Sequence, residues 1–147
     1  MPHKIWVDAD ACPKVIKEIL FRAVKRTQVP MTLVANRPLY TPPSDLIDSI
    51  MVPQGFDVAD EAIVDRVGGN ELVITEDIPL AAAVIEKGAV VLTTHGRMLN
   101  AGNIGEALSV RNFMDEVRSA GVQTGGPAAF SRRDREKFAN ALQRLMG

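Results

Sequence analysis

Lys4-Ile5-Trp6-Val7-Asp8-Ala9-Asp10-Ala11-Cys12-Pro13 is the stretch on which the reading of this chain turns. Its opening, Lys-Ile-Trp-Val, predicts a short buried strand over Lys4 to Val7 that ends at Asp8. Pro13 suits the first turn of a helix, with Asp10 or Cys12 near its cap. Beyond it, Val15, Ile16, Ile19, Leu20 and Ala23 recur at helical spacing. Lys14, Lys17, Arg22, Lys25 and Arg26 fall on or near the opposite face, and Pro30 closes the segment. A strand delivering two acids into the start of an amphipathic helix is the opening of an α/β layer arrangement.

The rest of the chain repeats that alternation. Met31 to Ala35 is apolar and β-rich, a second strand, and the stretch Arg37 to Ser44 with its three prolines is a loop. Ile47 to Val52 is a third strand, and Asp57 to Val67 a helix stopped by Gly68-Gly69-Asn70. Leu72 to Thr75 is a fourth strand, Ile78 to Glu86 a short helix with Pro79 in its first turn, and Ala89 to Thr93 a fifth strand. His95 to Gly105 is glycine-rich and reads as irregular. Ile104 to Ala120 is helical, Thr124 to Pro127 turns the chain, and Ser131 caps a last helix presenting Phe138, Leu142 and Leu145 on one side. Alternating strands and helices imply a three-layer α/β fold: a mostly parallel five-stranded sheet with helices on both faces. With no internal repeat, low-complexity tract or linker, residues 1–147 read as one domain.

Composition narrows the function classes. Lys and Arg number 17 against 18 Asp and Glu, a formal net charge of -1, which argues against a general polyanion binder but leaves room for a local basic patch beside an acidic site. A single cysteine, Cys12, permits no internal disulfide, and no Cys/His set has zinc-like spacing. The absence of an apolar signal region or a bilayer-length apolar run leads to the expectation of a reducing cytoplasm and no membrane partner.

The acids are where the chemistry gathers. Ligands of open α/β sheets sit in the crevice beyond the carboxyl ends of the strands. Asp8 and Asp10 follow the first strand there, and Glu76 and Asp77 follow the fourth. Asp57, Glu61 and Asp65 are spaced four apart on one helical stripe, and Asp60 points elsewhere on the same turn. Two unit charges about 4 Å apart repel by roughly 4 kcal/mol at an effective dielectric near 20. A cluster of carboxylates therefore needs a counter-charge, and Mg²⁺ or Mn²⁺ is the natural one because hard cations prefer oxygen ligands. Such a cation generates hydroxide and stabilises phosphoryl charge, the chemistry of phosphodiester cleavage. The plainer reading of the same residues is helix capping and a solvated face: acids favour a helix N-terminus, and Glu76 or Asp77 can cap the helix at Ile78.

Val7-Asp8-Ala9-Asp10-Ala11-Cys12-Pro13, Asp57-Val58-Ala59-Asp60 and Thr75-Glu76-Asp77-Ile78-Pro79-Leu80-Ala81, with Phe130 and Asp134-Arg135 further on, resemble the bacterial YaiI/YqxD family over essentially the whole chain. That family in turn looks like the PIN-like superfamily, which includes metal-dependent RNases. The resemblance implies that Asp8, Asp60 and Asp77 hold Mg²⁺ or Mn²⁺, with Asp10 a further ligand or the orienter of a metal-bound water. Asp57, Glu61, Glu76 and His95 are secondary candidates. Thr75 matches the Thr-x-Asp that ends a later strand in the superfamily, and Thr93 or Thr94 matches the hydroxyl or acid after the next. No aspartate follows Val90 to Leu92, where many PIN nucleases have one, a departure that leaves one-metal chemistry or none. Arg37, Arg97 and Arg111 are candidates to meet phosphates through their forked donors. The function so implied is a metal-dependent nuclease acting on RNA ahead of DNA. A non-catalytic relative that binds a cation, RNA or a partner, and a hydrolase of small phosphate esters, are the alternatives.

Overall fold

The computed structural model describes residues 1–55, 57–121 and 130–147, so the turn expected over Thr124 to Pro127 lies outside the described residues. The elements run β1 (Ile5–Asp8), α1 (Lys14–Thr27), β2 (Met31–Ala35), β3 (Ile47–Met51), α2 (Val58–Arg66), β4 (Leu72–Ile74), α3 (Ile78–Glu86), β5 (Val90–Leu92), β6 (Met98–Leu99), α4 (Ile104–Ser119) and α5 (Arg132–Met146).

The strands form one mixed sheet in the order β3-β2-β1-β4-β5-β6. All neighbours are parallel except β5 and β6, which pair antiparallel through Val91 with Leu99 and Leu92 with Met98. The sixth strand corrects the five-stranded expectation. It lies inside His95 to Gly105, a segment too short and too rich in turn residues to show a period of two. Gly96, at φ +88°, makes the reversal that folds Met98 and Leu99 back onto β5.

Alternation along each strand sends side chains to two separate cores. Ile5, Val7, Leu33, Leu72, Ile74 and Leu92 pack with Ile16 and Leu20 of α1 and Phe138 and Leu142 of α5. Trp6, Val34, Val73 and Val91 face the other way, onto Ile63 of α2 and Leu80 and Val84 of α3, with Ala107 of α4 beyond. The sheet is thus the middle of three layers, with α1 and α5 on one side and α2, α3 and α4 on the other. Ile5, Val7, Val73 and Ile74 are fully excluded from solvent, as strands covered on both faces require.

Helix ends follow local chemistry. Asp77 caps α3 by accepting from the Leu80 N–H at 3.0 Å, with Pro79 in the first turn. Ser131 starts α5 in a reciprocal box with Asp134: the Ser131 hydroxyl accepts from the Asp134 N–H at 3.2 Å, and Asp134 Oδ2 accepts from the Ser131 N–H at 3.0 Å. The start of α1 differs from expectation. Its N-cap is Pro13, whose side chain has no acceptor to offer, and the Asp10 carboxylate instead accepts from the Asn36 N–H. Among the described residues no helix is long and apolar enough to cross a membrane.

Candidate active site

From β1 the sheet is extended in one direction by β2 and in the other by β4. Their crossover helices, α1 and α3, lie on opposite faces. The carboxyl ends of β1 and β4 therefore flank the point where the winding reverses, and their loops diverge to leave a crevice. Three of the four buried polar residues among those described, Thr75, Thr93 and Thr94, sit at this edge of the sheet. Buried hydroxyls require partners, and here the partners are the chain's acids and turns.

Asp8 closes β1 on the side facing α2. Thr75 Oγ1 donates to its Oδ2 at 2.9 Å and accepts from the Asp77 N–H at 3.0 Å, so one buried hydroxyl links the ends of both strands to the start of α3. Burial raises the Asp8 carboxyl above its ordinary range; the Thr75 hydrogen bond opposes this, and the charges of Asp77 and Asp10 add to it. Asp60 reaches the same place from α2, which packs against β1 and β2. Burial first, then the Asp77 charge, a hydrogen bond with Asp77, and the Asp8 and Asp57 charges push its carboxyl up to about 7. Asp8, Asp60 and Asp77, from three elements and 69 positions of chain, feel one another directly.

Asp60 and Asp77, but not Asp8, line a cleft of about 410 Å³ between α2 and α3, together with Asp57, Glu61 and Asp65 and with Arg111 of α4. Asp57 takes a left-handed φ of 63° at the start of α2 without capping it by its side chain, a conformation aspartate tolerates. Arg111 pairs with Asp115 one turn on, at 3.1 Å. The cleft is thus strongly acidic, with its nearby cation already in an ion pair.

Asp10 and Glu76 have other partners. Asp10 Oδ2 accepts from the Asn36 N–H at 2.9 Å, tying the ends of β1 and β2 together, and its buried Oδ1 has no hydrogen-bond partner. The nearest cation is the exposed Arg37, whose Nε stands 3.7 Å away. Glu76 Oε1 accepts from Thr94 Oγ1 at 2.6 Å and from the His95 N–H at 3.2 Å, and it lies 2.8 Å from His95 Nδ1. The His95 ring meets Phe130 edge-on at 5.7 Å, and its Nε2 is 3.9 Å from Asp134 Oδ2. Glu76 and His95 thus join the β4 loop, the β5–β6 turn and the start of α5. Thr93 is consumed in that turn, its Oγ1 accepting from the Arg97 N–H at 3.0 Å, while the Arg97 side chain is exposed. Cys12 is buried, and burial pushes its thiol up to about 12, which removes it as a nucleophile near neutral pH.

The sequence alone does not reveal the Asn36 amide that holds Asp10, nor the approach of Asp134 to His95. A backbone donor leaves no compositional trace, and Asp134 reads only as a helix-start residue. By ligand type Asp8, Asp60 and Asp77 would suit a hard divalent cation, since every donor atom they offer is an oxygen. Among the described residues no group of three or more His, Cys, Asp or Glu stands in a geometry that could hold a metal ion.

Fold and site together define a class: an open, mostly parallel α/β protein with carboxylates at the switch point of its sheet. The chain belongs to the YaiI/YqxD family. The family model described as "Uncharacterized BCR, YaiI/YqxD family" matches residues 6–147. The chain is 64% identical to a UPF0178 protein of Bordetella petrii over 142 residues, covering 97% of this chain and 95% of that one. It is 59% identical to a UPF0178 protein of Dechloromonas aromatica over 143 residues, covering 97% and 95%, and 57% identical to one of Yersinia pestis over 143 residues, covering 97% and 94%. No solved structure matches the chain.

Proposed function

We propose that this protein is a divalent-metal-dependent phosphodiesterase acting on RNA ahead of DNA. One arrangement carries the reading: Thr75 ties Asp8 to the start of α3 at the sheet's switch point, Asp60 and Asp77 line one cleft beside it, and burial, then the neighbouring acids, raise the Asp60 carboxyl to about 7. Carboxylates so crowded are destabilising until a proton or a cation joins them, which is the signature of a site kept for chemistry rather than for packing. The resemblance of these same positions to the PIN-like nucleases supports the choice of reaction.

Asp8, Asp60 and Asp77 would hold Mg²⁺ or Mn²⁺, which when bound supplies an activated water and charge compensation for a phosphoryl oxygen. Thr75 fixes the Asp8 carboxylate in place. Asp10, with one unbonded oxygen at the same strand end, is suited to orient a water. Arg37 and Arg111 flank the acids and offer planar donors to phosphate oxygens; Arg97, on the β5–β6 turn, is a further candidate. The test is cleavage of labelled RNA with Mn²⁺ or Mg²⁺. Asp8→Asn is expected to abolish it in a folded protein, as is excess chelator; cleavage unchanged in either case overturns the reading.

A second reading is binding of RNA without turnover, since among the described residues no three carboxylates stand in a geometry that could hold a metal ion. Calorimetric titration with an RNA oligomer beside the cleavage assay separates the two: heat without product supports binding alone.

A further inference from the structure

The near-zero net charge conceals a separation of charge across the sheet. Helix α1 carries Lys14, Lys17, Arg22, Lys25 and Arg26 against one acid, Glu18. Helix α5 carries Arg132, Arg133, Arg135, Lys137 and Arg144 against Asp134 and Glu136. These two helices pack side by side on one face of the sheet. Together they hold ten cations and three acids; the remaining chain holds seven cations and fifteen acids. The residues outside the described structure, Phe56 and 122–129, contain no charged side chain, so the partition is complete.

The cations of this layer are largely unpaired. Nine of the ten are exposed, and among the described residues only Arg132 is in an ion pair, with Glu136 at 3.4 Å. Across the sheet, by contrast, Arg111 and Arg118 both pair with Asp115. Between α1 and α5 lies a groove of about 410 Å³ into which Arg22, Arg26 and Arg135 project beside Glu18 and Glu136. The basic layer also adjoins the acidic crevice. Helix α1 starts four residues after Asp10, and Lys137 of α5 packs against Gly96 in the β5–β6 turn.

We propose that the α1–α5 layer docks the phosphate backbone of RNA and leads it over the edge of the sheet to the carboxylates. Calling the partner RNA rests on the phosphodiesterase reading; the docking face itself does not require turnover. Six of the ten cations are arginine, whose planar fork matches phosphate oxygens. An anionic membrane fits less well, since none of the exposed large apolar residues, Met1, Tyr40, Met51, Val110 and Phe113, lies on α1 or α5 to enter a bilayer.

The test is fluorescence anisotropy with a fluorescein-labelled single-stranded oligouridine in chelator, so that binding is read without hydrolysis. The wild-type affinity is expected to fall steeply with salt, as release of counterions requires, and R22E/R26E/R135E to weaken binding by at least about tenfold with a shallower salt slope. Should the reversal variant not fold, R22Q/R26Q/R135Q, checked by circular dichroism, is expected to lose affinity in smaller measure. Unchanged affinity in a folded triple variant overturns the proposal, as does wild-type binding to phosphatidylserine vesicles but not to the oligouridine. Loss of binding in the triple variants with no cleavage by the wild type upholds the docking face and removes the hydrolytic reading. Asp8-dependent cleavage alongside unaltered binding by the triple variants does the reverse.

Discussion

Thr75 Oγ1 donates to Asp8 Oδ2 across 2.9 Å, joining the carboxyl ends of β1 and β4 at the point where the sheet reverses its winding. The same oxygen accepts from the Asp77 N–H, so a residue only 2% exposed organises two of the three central carboxylates. Thr75→Val keeps the shape and removes the hydroxyl. It is expected to destabilise the fold by about 1–3 kcal/mol, since a buried carboxylate and a backbone N–H both lose a partner. Thr75→Ser is expected to retain most of that stability, and urea unfolding of the two variants checks the difference.

Asp60 sets a pH dependence of definite sign. Burial, then the neighbouring acids, raise its carboxyl from an ordinary 3.8 to about 7 in the fold. Between those values the folded state binds more protons than the unfolded one. The associated stability is therefore complete below about 3.8 and is lost as pH rises through about 7. The raised Asp8 carboxyl acts in the same direction. The urea midpoint is expected to decline across this window, and Asp60→Asn to flatten the decline and to exceed the wild type at pH above 7. A wild-type midpoint that rises through the window contradicts the crowding of these acids.

Asp77 has two roles that substitution separates. Asp77→Ala removes the acceptor for the Leu80 N–H and is expected to lower stability by about 1 kcal/mol. Asp77→Asn keeps a good cap while deleting the charge, so its stability is expected to stay near wild type while RNA cleavage is lost. Thermal unfolding beside the cleavage assay reads both; full cleavage by the asparagine variant shows that Asp77 only caps the helix.

Gly96 carries the contact between the β5–β6 turn and α5. Its φ is +88°, and a Cβ there would lie 2.7 Å from the Lys137 carbonyl carbon and 2.8 Å from the Phe138 nitrogen. Both are backbone atoms and cannot swing aside. Gly96→Ala is expected to destabilise by about 1–3 kcal/mol, read by thermal unfolding, as α5 is pushed off the sheet. A melting temperature equal to wild type contradicts this packing.

Much of the layered fold is legible in the chain. Lys-Ile-Trp-Val and Met31 to Ala35 are short apolar runs between breakers, and α1 carries a clear stripe through Ile16, Leu20 and Ala23. The element ends shift by about one residue, as terminal hydrogen bonds dictate: β1 begins at Ile5 and includes Asp8 because the Asp8 backbone pairs beside Val34. Strand β6 is not legible, because two residues cannot display an alternation and their pairing depends on the turn at Gly96. The acids show the same division. Asp8 and Asp77 are marked by their place just past apolar strands, whereas nothing local distinguishes Asp60 from Asp57 or Glu61 on α2. Glu76 and Asp77 are adjacent in sequence, yet one ties down His95 and the other caps α3 among the carboxylates.

Sequence by itself determined the alternation of strands and helices, the acids at the strand ends and the cap at Ser131, because each follows from periodicity or hydrogen bonding within a few residues; the choice of Asp77 over Glu76 as the α3 cap came from the structure. Only the tertiary structure decided that β1 lies between β2 and β4, that Asp60 is the α2 acid in electrostatic contact with Asp8 and Asp77, and that the cations of α1 and α5 share a face opposite the acidic cleft. Those relations join positions dozens of residues apart, and Coulomb forces depend on separation in space, which only packing across the sheet creates.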